Sequence, residues 1–229
     1  MLTSIAIPVY EMNGQGINYL KHNLKQVINQ KINSDIEVII SDQSKNDTIK
    51  DYIKNLNIDY IKYIKADEKV NSLSSNTNSA IRNCNGDIIK VLYQDDYFLN
   101  EFSLQKTIDT ILNSNKMWLI SACEHSKDLS TLIRPFYPQW NDHMIFGNNT
   151  YSCPSVLCFK KEAKYNYFDE NLDYLLDTEY YYRMKSKYGE PVYLQDITVV
   201  ISIHENQSTN SVSAKAEKEI EYIIKKYVN

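Results

Sequence analysis

Glycine is scarce in this sequence, with 5 among 229 residues. Neither G-x-G-x-x-G nor G-x-x-x-x-G-K-[ST] occurs, which excludes the two commonest glycine-rich loops that cradle phosphates. No stretch approaches the ~18 consecutive apolar residues of a membrane-spanning helix. The apolar N-terminus reaches Glu11 without a basic leader, which argues against a signal peptide. The net charge of -4 and the lack of a Lys/Arg stripe argue against a nucleic-acid partner.

Cysteine is also sparse, and its spacing is uninformative for metal binding. The four residues are Cys84, Cys123, Cys153 and Cys158, and none forms C-x-x-C. This pattern matches no strong zinc motif and favours free, buried thiols. So few cysteines in a chain of this length indicate a reducing cytoplasm.

Short β-branched runs alternate with segments of helical spacing in the first half of the chain. The runs predict strands at 4–9, 36–41, 58–64, 87–93 and 116–123. The segments between them predict helices at 17–30, 46–56, 72–84 and 101–112. This alternation implies an α/β fold with a parallel sheet and helices on both faces.

The second half is less regular. Residues 131–149 are rich in aromatics and prolines and predict a loop or short hairpin. Strands are predicted at 155–159, 192–194 and 197–203, and helices at 177–188 and 214–228. The amphipathic last helix is expected to pack on the domain, with membrane-surface docking as a weaker alternative. The absence of repeats and of linker-like composition predicts a single domain.

Polar groups follow several predicted strands, as Tyr10-Glu11, Asp42 and Asp95-Asp96. In open α/β sheets, ligands bind at the carboxyl ends of the strands, so these groups are expected to gather at one edge. Two adjacent carboxylates suit a divalent cation shared with substrate phosphates, although a solvated turn is the alternative.

Each of three other positions can be explained either by a structural role or by a role in binding or catalysis. Asp42 either forms an Asx turn with Ser44 or accepts a hydrogen bond from a base or ribose. Asp177 either provides favourable charge at a helix N-terminus or acts as a general base. His204, after an apolar strand, is either structural or in contact with a metal or phosphate.

Taken in order, several segments resemble family 2 glycosyltransferases of the GT-A fold. The likeness covers residues 4–208 and rests on the following segments: 4–11 (SIAIPVYE), 36–44 (IEVIISDQS), 78–87 (NSAIRNCNGD), 88–96 (IIKVLYQDD), 168–172 (FDENL), 177–183 (DTEYYYR) and 204–208 (HENQS). It implies a Rossmann-like, mostly parallel sheet. Within one domain, residues 1–123 would form a nucleotide-sugar half, 124–212 an acceptor half and 213–229 a C-terminal helix.

The resemblance implies a role for each matching residue. Asp177 would be the general base, and Asp96 and His204 would bind Mn²⁺ or Mg²⁺ on the diphosphate. Asp42 would hold the base, and Asp95 would face the ribose or donor sugar. The other residues of the nucleotide-sugar site would be Pro8, Tyr10, Glu11, Asn78 and Gln94.

Several positions depart from the family pattern. Gln94 stands where many relatives have an acidic residue, and Ser41 and Gln43 replace an acid and a glycine. Thr77 replaces a frequent Arg, and Leu176 a frequent Glu. These changes bear on the donor more than on the fold.

The implied activity is inverting transfer from a nucleoside-diphosphate sugar, with UDP favoured, to a hydroxyl of a glycan or lipid-linked saccharide. The enzyme would be a hexosyl- or N-acetylhexosaminyltransferase of polysaccharide biosynthesis, cytoplasmic or peripheral at the inner membrane face. Two alternatives remain, a nucleotidyltransferase-type enzyme and a non-catalytic carbohydrate-binding protein. Tyr137, Trp140 and Tyr151 are candidates for stacking on acceptor sugars, with ordinary packing as the alternative.

Overall fold

The computed structural model describes residues 1–67, 72–207 and 213–227. Within them lie strands β1 Leu2–Val9, β2 Asp35–Asp42, β3 Ile61–Lys65, β4 Ile88–Val91, β5 Tyr97–Phe98, β6 Trp118–Ser126, β7 Leu157–Lys160 and β8 Val192–Ser202. The helices are α1 Gly16–Ile28, α2 Thr48–Leu56, α3 Leu73–Arg82, α4 Ser103–Leu112, α5 Leu176–Tyr188 and α6 Ala216–Tyr227. Ser208 of the predicted closing motif and Val228 of the predicted last helix lie outside the described residues.

The eight strands form one sheet in the order β3-β2-β1-β4-β7-β6-β8-β5. β1 pairs in parallel with β2 and with β4. The pairs β2–β3 and β6–β8 are also parallel. β7 runs antiparallel between β4 and β6, and β5 runs antiparallel to β8. The predicted α/β fold with a mostly parallel sheet flanked by helices is therefore confirmed. Strands from both predicted halves of the chain share this sheet.

The sheet register brings the polar strand ends together. Along β1, residues from Ser4 to Val9 are buried, and Val9 pairs with Asp42 at the end of β2. β4 lies on the other side of β1 and leads directly into Asp95-Asp96. A Cβ on Gly86, in the turn before β4, would lie 2.6 Å from the Ser4 nitrogen, so this close approach requires glycine.

Two sequence predictions need correction, and one short strand was missed. The two strands predicted at 192–194 and 197–203 are one strand, β8, whose register against β6 shifts beside Ala122. This irregularity in strand pairing falls between the two predicted segments, where the alternation of apolar residues is interrupted. β3 begins three residues later than predicted, and the two-residue β5 was too short to be detected from periodicity.

Many tyrosines serve the core rather than a binding surface. Trp118, Tyr151, Tyr180 and Tyr181 are fully buried and meet edge to face or stacked, with ring centroids 5.3–6.4 Å apart. The Tyr151 hydroxyl lies 2.6 Å from that of Tyr193. Tyr151 is thus a packing residue, which was the alternative to stacking on an acceptor sugar.

All four cysteines are free, as predicted, and Cys153 is the one of them that is partly exposed. In the part of the chain that the structure describes, none of the helices combines the length and apolar character required to cross a bilayer.

Candidate active site

A cleft opens at the carboxyl ends of β1 and β4. Five of the predicted residues line it at this edge, Pro8, Tyr10, Gln94, Asp95 and Asp96, and Asp177 lines it from α5. The remaining lining residues are Met12, Leu73, Asn76, Tyr93, Cys153, Pro154, Asp173, Tyr174, Leu176, Ile201 and Gln207. The fold thus brings together carboxylates that lie more than 80 positions apart in the chain.

Gln94 connects two backbone segments at one side of the cleft. Its Oε1 accepts a hydrogen bond of 2.6 Å from the Tyr10 N–H, and its Nε2 donates to the carbonyls of Tyr10 (3.0 Å) and Gly16 (3.2 Å). An acidic side chain could not make the two donations. A Cβ on Gly16 would lie 2.1 Å from the Tyr10 carbonyl oxygen, so glycine is required for this approach. Gln94 therefore holds the end of β1 against α1.

Asp96 points into protein and is only 2% exposed. Its Oδ2 accepts hydrogen bonds from the Ser155 hydroxyl (2.5 Å) and the Cys153 thiol (3.2 Å), and its Oδ1 accepts one from the Ser202 N–H (2.9 Å). Burial, and secondarily the neighbouring Asp95, raise the pKa of Asp96 to about 8. This carboxyl group thus joins the end of β8 to the 153–155 segment.

Asp95 is placed differently. Its Oδ2 lies 2.9 Å from the Nε2 of His204, while Ser202 donates to its backbone carbonyl. The ring of Tyr19 stacks on that of His204, with centroids 4.4 Å apart and planes 23° from parallel. The structure therefore pairs Asp95 with His204 beside the cleft. Tyr19 was not among the residues predicted from sequence.

Asp177 lies in the first turn of α5 and is partly exposed to the cleft. Its Oδ2 accepts a hydrogen bond of 2.8 Å from Asn149, and its Oδ1 one of 2.7 Å from the Thr178 N–H. Burial raises the pKa of Asp177 to about 7, because desolvation outweighs these hydrogen bonds. A carboxyl group with a pKa near neutrality is well suited to accept a proton.

Besides His204, which contacts the cleft residue Asp95, three predicted site residues lie away from the cleft lining. Asp42 is fully buried, where it accepts from the Ser44 N–H (2.8 Å) and the Tyr63 hydroxyl (3.0 Å). Asn78 exchanges hydrogen bonds with the backbone of Phe168. Glu11 accepts from the Lys45 N–H and borders a separate small pocket.

Asn76 of the cleft and Asn149 beside Asp177 had no sequence signal. Asn76 donates 2.9 Å to the Val9 carbonyl, and its buried Oδ1 has no hydrogen-bond partner among the described residues. Asn149 belongs to an irregular segment, and Ser152 beside it has a φ of 79°, in the left-handed region. Long-range contacts of this kind leave no local pattern, so periodicity could not identify them.

Comparison with known proteins identifies the fold and family. The model of glycosyl transferase family 2 matches residues 4–184. The chain belongs to glycosyl transferase family 2. No curated protein sequence matches it significantly. The resemblance drawn from the motifs is confirmed, and the coarse activity of the family is that of a glycosyltransferase.

Solved structures match the chain at low sequence identity. S. aureus TarS 1-349 in complex with UDP has a TM-score of 0.70 at 15% identity over 98% of this chain and 64% of that one. The complex of the same protein with UDP-GlcNAc has a TM-score of 0.72 at 15% identity, over 98% and 66%. The mannosyltransferase PcManGT from Pyrobaculum calidifontis, in complex with GDP-Man and Mn²⁺, has a TM-score of 0.66 at 15% identity, over 89% and 57%.

These matches establish the GT-A fold of this member of glycosyl transferase family 2. The chain spans less than two thirds of the length of the first structure it matches. The donors and metal in those complexes belong to those proteins.

Proposed function

We propose that the protein transfers a sugar from a nucleoside-diphosphate donor, with UDP favoured, to a hydroxyl of a glycan or lipid-linked saccharide. One observation carries this proposal: the Asp177 carboxyl, with a pKa of about 7, and the Asp95 carboxyl line the same cleft at the strand ends. That edge is where sheets of this type bind nucleotides. Complexes of similar structures contain UDP, UDP-GlcNAc and GDP-Man, which supports a nucleotide-sugar donor.

Asp177 is proposed as the general base. Above its pKa, the carboxylate accepts the proton of the acceptor hydroxyl, while the hydrogen bond from Asn149 holds it in place. The hydroxyl oxygen bonds to the anomeric carbon from the face opposite the diphosphate, the bond to the leaving oxygen breaks, and the configuration inverts.

A divalent cation, Mn²⁺ or Mg²⁺, fits the residues on one side of the cleft. Carboxylate oxygens suit Mn²⁺ and Mg²⁺, and neutral imidazole is a common metal ligand. Asp95 and His204 provide one of each, with Oδ2 and Nε2 2.9 Å apart. Among the described residues, no group of three or more His, Cys, Asp and Glu side chains is arranged to hold a metal. A cation at this pair therefore requires diphosphate oxygens to complete its coordination, as is usual for nucleotide sites.

We assign the metal to Asp95 and His204 rather than to Asp96. The oxygens of Asp96 already accept three hydrogen bonds from protein donors, and its raised pKa of about 8 disfavours the anionic form. When bound, the cation would supply positive charge to the departing diphosphate.

We propose that Asp42 supports base binding only indirectly, and not by the direct contact that the motif implied. Its carboxyl is fully buried and is committed to Ser44 and Tyr63, so it supports the loop after β2. Tyr10 and Asn76 line the cleft beside that strand end, and we propose that they contact the base or ribose.

On the acceptor side, Tyr137 is the best of the three predicted aromatic residues, since its side chain is 54% exposed. Lys185 lies 3.8 Å from the centre of the Trp140 ring and covers one of its faces.

A panel of nucleotide sugars with and without Mn²⁺ tests the proposed function, with released nucleoside diphosphate and transferred sugar as readouts. We expect turnover of at least one donor, an increase with Mn²⁺, and loss of transfer in Asp177→Asn with donor binding retained. A protein that binds sugars but never cleaves a nucleotide sugar would instead support the carbohydrate-binding alternative. Release of pyrophosphate from a nucleoside triphosphate and sugar phosphate would support the nucleotidyltransferase alternative.

A further inference from the structure

The C-terminal helix contacts the segment that leads to Asp177. Glu219 of α6 is only 5% exposed, and its carboxylate accepts hydrogen bonds from three consecutive backbone N–H groups. These come from Asp173 (3.0 Å), Tyr174 (3.0 Å to Oε2) and Leu175 (2.8 Å). Successive N–H groups that converge on one anion form a compact, strongly oriented site.

The three N–H groups stand directly before α5. Asp173, Tyr174 and Leu176 line the cleft, and Asp177 is the second residue of the helix. Within the described chain, no side-chain hydrogen bond caps α5 from its own N-cap residue, Leu175. Glu219 instead binds the three N–H groups that immediately precede the helix, and it places negative charge near the positive end of the helix dipole.

Further contacts anchor α6 along its length. Lys215, just before α6, pairs with Asp173. Near its end, Lys226 binds both Asp169 (2.6 Å) and Glu179 (2.9 Å). Glu179 of α5 is fully buried and also accepts from Tyr227, so the end of α6 is held against α5.

We propose that Glu219 is a positioning residue for Asp177, acting through the 173–175 backbone, and that α6 is consequently part of the active site. The inference rests on the proposed role of Asp177 as general base. The family model ends at residue 184, so α6 and Glu219 lie outside the part of the chain that it describes.

The groups around Asp177 allow a positioning role of Glu219 to be distinguished from purely structural support. The charged or titratable groups that face it are Glu219 from α6, Tyr93 after β4 and Tyr181 of α5, and Asn149 faces it as a neutral donor. After burial, the charge of Glu219 is a further cause that raises the pKa of Asp177. Removing that charge should therefore lower the pKa of Asp177 as well as loosen the segment.

Glu219→Gln and Glu219→Asp separate the two effects, and Glu221→Gln is the matched control. Glu221 lies on the same helix but is exposed, so its variant makes the same charge change away from the 173–175 backbone. The pKa of Asp177 is read by carboxyl ¹³C NMR titration of the free protein, with Asp177→Asn for assignment. Transfer is measured as kcat, donor KM and the acid limb of the pH profile.

For Glu219→Gln we expect kcat to fall about tenfold with donor KM within about twofold. The Asp177 titration and the acid limb should both move about half a pH unit lower. Glu219→Asp retains the charge, so its kcat should fall while the titration stays in place. Glu221→Gln should match the wild type in every readout.

The proposal would be overturned if Glu219→Gln left both the Asp177 titration and the acid limb of the pH profile unchanged. It would also be overturned if Glu219→Gln and Glu221→Gln had equal kcat. Should Glu219→Gln fail to fold, Glu219→Asp decides through kcat alone, and a wild-type value would overturn the positioning role. The NMR titration needs no substrate. If the wild-type protein were inactive on every donor, the proposed function would therefore be refuted. The titration would still test the influence of Glu219 on the pKa of Asp177.

Discussion

Replacing Asp177 by Asn is expected to stabilise the protein at alkaline pH while it abolishes transfer. The pKa of Asp177 is raised from 3.8 to about 7, chiefly by burial, so the folded state resists ionisation of this carboxyl. A shift of about 3 units, at ~1.4 kcal/mol each, corresponds to about 4 kcal/mol of lost stability once the group is charged. Asn carries no charge and retains an oxygen that can accept from Asn149.

The sign of the pH dependence follows from proton linkage. Between pH of about 4 and 7 the folded protein holds a proton that the unfolded chain has released, so the contribution of Asp177 to stability falls as pH rises. Above pH 7 the full penalty is present. The stability of Asp177→Asn relative to wild type should therefore be near zero at pH 4 and reach up to about 4 kcal/mol at pH 8.

Urea unfolding at pH 4, 6 and 8 measures this difference, and transfer assays at pH 8 accompany it. Asp59→Asn is the control, because Asp59 is exposed and lies in the α2–β3 loop, far from the cleft residues in sequence. The reasoning would be refuted by an Asp177→Asn variant that is no more stable than Asp59→Asn at pH 8, or by a gain that does not vary with pH. Near-normal transfer by Asp177→Asn would refute its role as base.

Four further substitutions test other parts of the site and core. Asp95→Asn should weaken Mn²⁺-dependent UDP binding at least about tenfold by calorimetry, whereas Asp96→Asn should keep the response to Mn²⁺ within about twofold. Gln94→Glu places a carboxylate against two carbonyls and should lower the free energy of unfolding by about 2 kcal/mol, and weaken UDP binding by releasing Tyr10. Tyr151→Phe removes a buried hydroxyl contact and should lower the free energy of unfolding by about 1 kcal/mol, measured by urea denaturation.

Matched controls on the surface isolate each effect. Gln139→Glu makes the same change as Gln94→Glu, but at an exposed residue. Tyr137→Phe likewise makes the same change as Tyr151→Phe at an exposed residue. Both controls should stay within about 0.5 kcal/mol of wild type. Loss of the Mn²⁺ response in Asp96→Asn but not in Asp95→Asn would return the metal to the residue expected from the motif.

The fold was largely predictable because its signals are local. The alternation of β-branched runs with helical spacing located most strands and helices, and the strand ends identified Tyr10, Asp95 and Asp96 as neighbours. The antiparallel insertion of β7 between β4 and β6 was not predicted, since strand order depends on contacts distant in sequence. The continuity of β8 was missed for a related reason, because its pairing with β6 is irregular and the periodicity is interrupted there.

The sequence by itself determined the α/β class, the family and the set of carboxylates from which a site could be built, since each depends on residue types in order along the chain. Only the tertiary structure decided how those carboxylates differ. Asp95 and Asp96 are adjacent in sequence, yet one pairs with His204 and the other is enclosed by Ser155, Cys153 and Ser202. Burial and hydrogen-bond donors set the charge of a carboxyl group, and both come from segments more than 50 residues away.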